Sequence, residues 1–190
     1  MKNYAHTVRE ELTSIIIFIG AIWLIFFLDL FMPLERLGLI PRDFGGIIGI
    51  FTMTFLHGDL AHIMGNIVPL AVMLALLAGS RANSLLIVVM IVLIGGSLLW
   101  LFGRSGTIHI GASLLVFGLA VFLIVSGLLE KRLVPLVIAV FVALTYGGVL
   151  ISGIAPWQKG VSWEGHLFGG VGGAIVAWLF VGRSVHRILP

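Results

Sequence analysis

Long apolar runs alternate with short polar breaks along this chain. A bilayer-crossing helix needs about 20 apolar residues, and six runs reach or approach that length, at 14–32, 59–79, 84–102, 113–129, 133–151 and 164–181. The breaks carry the turn formers and nearly all the charge. They are Pro33-Leu34-Glu35-Arg36 with Pro41-Arg42-Asp43, Ser80-Arg81-Ala82-Asn83, Gly103-Arg104-Ser105-Gly106, Glu130-Lys131-Arg132, and Ser152 to Trp163. The pattern predicts an all-α polytopic membrane protein, a bundle of six transmembrane helices forming one membrane-embedded domain over 1–190. Two features depart from a plain bundle. The fourth run is short, so a helix beginning at Ser113 starts below the membrane surface. The segment 33–55 mixes Phe44, Ile47, Ile48, Ile50 and Phe51 with four charges, a composition suited to the interface rather than to water.

Composition agrees with the pattern. The 190 residues are 60% hydrophobic and 10% charged, with mean hydropathy +1.21, whereas soluble domains are roughly 25% charged. Cysteine is absent, which removes disulfides, a thiolate nucleophile and thiolate metal ligands. The first run is longer than a signal-peptide core and no small-x-small cleavage site follows it, so it reads as a span. The isoelectric point near 9.8 reflects a net charge of only +3, spread singly or in pairs, which suits membrane orientation and not nucleic acid. With six spans both termini share a side. Lys2, Arg9, Arg81, Lys131, Arg132, Arg183 and Arg187 fall on that side, against Arg36, Arg42, Arg104 and Lys159 on the other. The positive-inside rule then puts both termini in the cytoplasm, with Trp157 and Trp163 at the outer interface.

Polar groups inside a membrane are costly and often functional. Here they are His57, His62, Asn66, His109, Ser113 and His166, with Asp29 and Glu164 near span ends. Ser97 and Ser126 need no more than a bond to their own helix backbone. His62 and Asn66 lie four apart, on one face of the second span, either bonding a neighbouring helix or aiming two donors at one point. His166, Gly169, Gly170 and Gly173 form a stripe at i, i+3, i+4 and i+7, and Gly111 and Gly118 lie seven apart around Ser113. Small residues at such spacing let backbones approach closely. Tight packing alone accounts for the glycines; a serine and a histidine at the heads of the two stripes ask for more. A serine nucleophile and its imidazole base must come within about 3 Å, while helices with bulky contact residues stay about 8–10 Å apart at their axes. On the expected topology Ser113 and His166 also fall at matching depth near the outer side. Glu164 is two residues from His166 and faces elsewhere, so the pattern favours a Ser–His dyad over a triad. The Gly-x-Ser-x-Gly elbow is absent, since position 115 is leucine. No metal is called for: His57 and His62 are five apart, off a common helical face, and there is no His-Glu-x-x-His. No internal repeat suggests an inverted-repeat transporter.

Three pieces, His57-Gly58-Asp59-Leu60-Ala61-His62-Ile63-Met64-Gly65-Asn66, Gly111-Ala112-Ser113 to Gly118, and Gly165-His166 to Gly173, occupy the second, fourth and sixth spans. In that order the chain resembles the rhomboid intramembrane serine proteases of the six-span bacterial type. The resemblance implies that Ser113 is the nucleophile and His166 the general base, and that His62, Asn66 and the Ser113 backbone N–H bind the oxyanion. It implies a supporting role for His57, a ring at Phe117 stacked on the imidazole, and Gly169 and Gly173 seating the sixth helix on the fourth. It also implies single-span membrane proteins as substrates within the lipid bilayer, no cofactor, and residence in a bacterial inner membrane. Two departures stand out: Leu114 replaces a common glycine and is expected to narrow the oxyanion region or alter substrate preference, and the Trp-Arg pair of the first loop is missing. The rival readings are an inactive, client-binding relative, marked by loss of the serine or histidine, and a small proton-linked transporter, marked by flux that survives Ser113→Ala.

Overall fold

The computed structural model describes residues 2–81, 84–157 and 160–182, with side chains from residue 11 onward. The turn at Ala82-Asn83 and the charges of Lys2, Arg9, Lys159, Arg183 and Arg187 lie outside that description. Among the described residues every regular element is a helix, apart from one isolated bridge between Leu39 and His109. The helices are α1 (Lys2–Asp29), α2 (Gly49–Thr52), α3 (Leu60–Ser80), α4 (Ser84–Phe102), α5 (Ser113–Glu130), α6 (Leu133–Gly153) and α7 (Trp163–Ala177), the last continued by a π-turn over Trp178–Gly182. Six of these segments are long and apolar enough to cross a bilayer, and they match the six predicted runs.

Local chemistry sets the ends. The first span stops at Asp29 rather than Met32, because the Asp29 carboxylate accepts from Leu34 N–H at 2.7 Å and Pro33 cannot continue a helix. α3 begins one residue later than expected, with Asp59 as its cap accepting from His62 N–H at 2.7 Å. α5 ends at Lys131, which takes a left-handed conformation with φ 54°. Ser162 caps α7 by accepting from Gly165 N–H at 3.2 Å.

α5 is the axis of the bundle, packed by α3, α4, α6 and α7. Its apolar side chains, with those of α1, α3, α4 and α7, form the main core. Glycine closes the α5–α7 seam. A Cβ at Gly169 would strike the Leu114 carbonyl, and one at Gly173 the Gly118 carbonyl. Gly170 is marginal to this seam, where an added Cβ would lie 3.3 Å from a Val121 methyl, so the stripe is narrower than its spacing suggested. Gly172 faces the other way, and a Cβ there would lie 3.0 Å from the Gly95 backbone of α4. α7 is therefore wedged between two helices through two glycine faces.

The segment 33–55 is ordered by docking on the end of α4. Trp100 Nε1–H donates to the Asp43 carbonyl at 3.0 Å, and Arg42 donates to the Leu101 carbonyl at 2.9 Å. Leu39, Ile50 and Met53 turn inward onto Leu99 and Leu114, while Phe44, Ile47, Ile48 and Phe51 are exposed. An apolar outer face of this kind fits the interfacial placement expected from composition.

Candidate active site

Ser113 is the first residue of α5, half-buried, and the chain approaching it is held at three points. Gly111 N–H donates to the Met53 carbonyl at 2.8 Å, and Ala112 N–H donates to His57 Nε2 at 3.3 Å. Two residues earlier still, His109 and Leu39 exchange backbone bonds at 2.8 and 3.0 Å. Gly111 carries φ +112°, and a Cβ there would lie 2.5 Å from His62 Nε2. Glycine is needed at 111 on both counts, conformation and space. The same closeness brings His62 against the entry to Ser113, with Asn66 Nδ2 3.6 Å from that Cβ position. Asn66 donates to the His62 carbonyl at 2.9 Å, leaving its second amide proton and its oxygen for other use.

His166 sits in the first turn of α7, 9% exposed. Its ring stacks on Phe117, centroids 4.0 Å apart and planes within 7°. Its Nδ1 lies 2.8 Å from the Gly153 carbonyl. A carbonyl can only accept, so Nδ1 carries the proton and Nε2 keeps its lone pair. The Gly153 carbonyl thus orients the imidazole as the third member of a triad would. A Cβ at Gly153 would collide with the Phe117 ring and reach within 3.0 Å of His166 Nδ1, so the stack requires this glycine as well. Gly153 carries no signal in the sequence, where it falls in the break from Ser152 to Trp163 just past the fifth predicted span.

Ser113, His166, His62, Asn66 and Phe117 line one open cavity of about 770 Å³, with His109 and Ser162 on its wall. No hydrogen bond joins Ser113 to His166 among the described residues; such contacts often tighten only when substrate binds. His57 is buried behind the site. Because Nε2 accepts from Ala112, its proton is on Nδ1, which is buried beside the Phe55 backbone. Burial, reinforced by the His62 ring 5.0 Å away, pushes its pKa down to about 4. Glu164 is bound by Arg104, Nε to Oε1 at 3.0 Å and Nε to Oε2 at 3.1 Å, and so is turned away from His166.

Leu114 corrects an expectation. Its side chain is 2% exposed and packs with Leu39, Ile50, Met53 and Leu99, off the cavity lining. A Cβ at Gly95 would meet its Cδ2 at 3.1 Å, so α4 supplies the space that the larger residue takes. Leu114 narrows nothing near Ser113.

The fold and this cavity define an integral, multi-pass membrane protein with an open chamber among its helices, apolar over most of its wall and carrying the polar groups named above. A family model described as Rhomboid domain matches residues 45–183. An uncharacterized protein of Mycobacterium tuberculosis (strain ATCC 25618 / H37Rv) is 35% identical over 178 residues, covering 88% of this chain and 74% of its own. One of Mycobacterium bovis is similar to the same extent, and one of Mycobacterium leprae is 38% identical over 140 residues, 69% of this chain and 55% of its own. The chain belongs to the rhomboid family, whose members are typically intramembrane serine proteases and include inactive relatives.

Proposed function

We propose that the protein is an intramembrane serine endopeptidase that cuts single-span membrane proteins in or near their transmembrane helix. The observation that carries this reading is the His166 ring, locked between Phe117 and the Gly153 carbonyl with Nε2 free, in the cavity that Ser113 also lines. Ser113 Oγ attacks the scissile carbonyl while His166 Nε2 takes its proton, then returns it to the leaving amine. The imidazolium formed in between is favoured by the Phe117 face and the Gly153 carbonyl dipole; a cation on a ring face is worth about 0.5–2 kcal/mol. His62, Asn66 and the Ser113 N–H, which has no intrahelical partner at the head of α5, stabilise the oxyanion. Each donor of that kind contributes roughly 3 kcal/mol. Water enters from the open side of the cavity. A substrate helix must unwind locally to be cut, since intact it satisfies its own backbone bonds.

The basic-residue count supports a topology with both termini on the cytoplasmic side and the cavity opening outward, and the proposed residence is a bacterial inner membrane. A reporter fused at residue 190 that works only outside the cytoplasm would overturn this topology. The activity is tested with a fluorophosphonate serine probe on the detergent-solubilised protein. Wild type should label; Ser113→Ala and His166→Ala should not. Unlabelled wild type that still binds membrane-protein clients would favour the inactive-relative reading instead.

A further inference from the structure

A second set of polar side chains lies beside the site and takes no part in the chemistry above. Ser162 Oγ is 2.6 Å from His109 Nδ1, His109 Nε2 is 2.9 Å from Thr107 Oγ1, and Thr107 Oγ1 is 2.7 Å from the Arg104 carbonyl. With the His109 imidazole neutral, the chain has one proton order. The Arg104 carbonyl only accepts, so Thr107 spends its proton there and accepts from His109 Nε2–H. His109 Nδ1 then holds a lone pair and accepts from the Ser162 hydroxyl, whose oxygen in turn accepts from Gly165 N–H at 3.2 Å. Arg104 closes the circuit, donating backbone and side-chain N–H groups to Glu164 at 3.0–3.2 Å. His109 and Glu164 are each 4% exposed, whereas the Arg104 side chain is 57% exposed, so the circuit is buried at its centre and meets water at Arg104.

The circuit joins two segments that flank the site by side-chain hydrogen bonds. Arg104, Thr107 and His109 belong to the loop that delivers Ser113, four residues after His109. Ser162 and Glu164 belong to the first turn of α7, and the Ser162 carbonyl also accepts from His166 N–H at 3.1 Å. The glycine seam fixes how near α7 comes to α5 lower down. The circuit adds a polar restraint on the turn that carries His166, ahead of the first seam glycine, Gly169.

We infer that His109, through Ser162, is a positioning residue for the reaction: it clamps the first turn of α7 to the α4–α5 loop and so sets His166 against Ser113. This inference rests on the protease reading. A loosened clamp leaves the cavity and the substrate path in place but misplaces the base, so it acts on turnover rather than on binding.

The test uses the full chain in detergent, with the active fraction counted by fluorophosphonate titration and cleavage measured on a fusion bearing one membrane helix with small residues near its outer end. In His109→Ala and Ser162→Ala, kcat per titrated site should fall about ten- to a hundredfold, the cost of roughly 1 Å of misplacement, with KM within about threefold of wild type. His109→Asn, which keeps an acceptor at the Nδ1 position, should recover most of the loss. Ile22→Ala, which opens the core far from the site, should lower the melting point without changing per-site kcat. Amide exchange at Gly165 and His166 should quicken about tenfold in the two clamp variants. Unchanged per-site kcat in His109→Ala, or no rescue by Asn, overturns the positioning role while the protease stands. If wild type neither labels nor cleaves, the protease reading falls, and the exchange rates alone then decide whether the clamp exists.

Discussion

α5 and α6 are built from nearly the same material and end up in opposite situations. Their mean hydropathies as spans are 2.3 and 2.4, yet 61% of the α5 span is buried against 11% for α6. Both neighbour a glycine-rich stretch: Gly169-Gly170 and Gly172-Gly173 on α7, Gly147-Gly148 within α6 itself. On α7, Gly169, Gly172 and Gly173 are pressed onto a neighbouring backbone; at Gly147 and Gly148 an added Cβ would meet nothing within 4 Å. Hydropathy decides that a helix enters the bilayer, because lipid is as apolar as any core. It does not decide which helix becomes the axis. That follows from close backbone approach, and glycine permits it only where a partner is present to use it.

The largest expected effect is at the chemical groups on the α5–α7 side. Ser113→Ala and His166→Ala should each cut cleavage of a single-span substrate by at least about a thousandfold, the scale of losing a nucleophile or base, with the melting point within a few degrees of wild type. Near-normal cleavage by either variant would refute the dyad and leave the seam as packing alone.

Next comes the seam itself. Gly169→Leu should cost about a hundredfold in rate, because its Cβ would strike the Leu114 carbonyl. Val171→Leu adds one methylene at a position that is 39% exposed and should cost almost nothing. Melting points measured alongside separate misplacement from unfolding. Equal cleavage by the two variants would show that the glycines do not govern the approach of His166 to Ser113.

A smaller effect is expected at His57. Its pKa is about 4 in the folded protein against an ordinary value of 6.5. Between those values the unfolded chain binds more protons than the folded one, so stability should fall as pH drops from 6.5 to 4 and stop falling below that. His57→Gln should flatten this slope in melting curves taken from pH 7 to 4. An identical slope in the variant would show that the buried ring does not titrate as described.

The smallest effect sharpens the comparison from the other side. Gly147→Ala should leave cleavage unchanged, since the Cβ enters open space, and should raise the melting point slightly through helix propensity. A loss of activity there would mean that α6 uses its glycines against a partner during catalysis.

Much of this protein was legible in one dimension. Unbroken apolar runs determined six crossing helices, because backbone groups in a bilayer must be satisfied within their own segment. The motifs around His62, Ser113 and His166 pointed to the family, and the three groups do line one cavity. Gly169 and Gly173 were readable as a seam because helical spacing puts i and i+4 on one face. What only the tertiary structure decided are relations between segments that no local pattern encodes. Gly153 supplies the carbonyl that orients His166 from another helix. Gly95 makes room for Leu114, so an apparent intrusion on the site becomes a core contact. His109 meets Ser162 across 53 positions of sequence. Such pairings depend on where separate helices come to rest after packing, and a single sequence records the residues but not the distances between them.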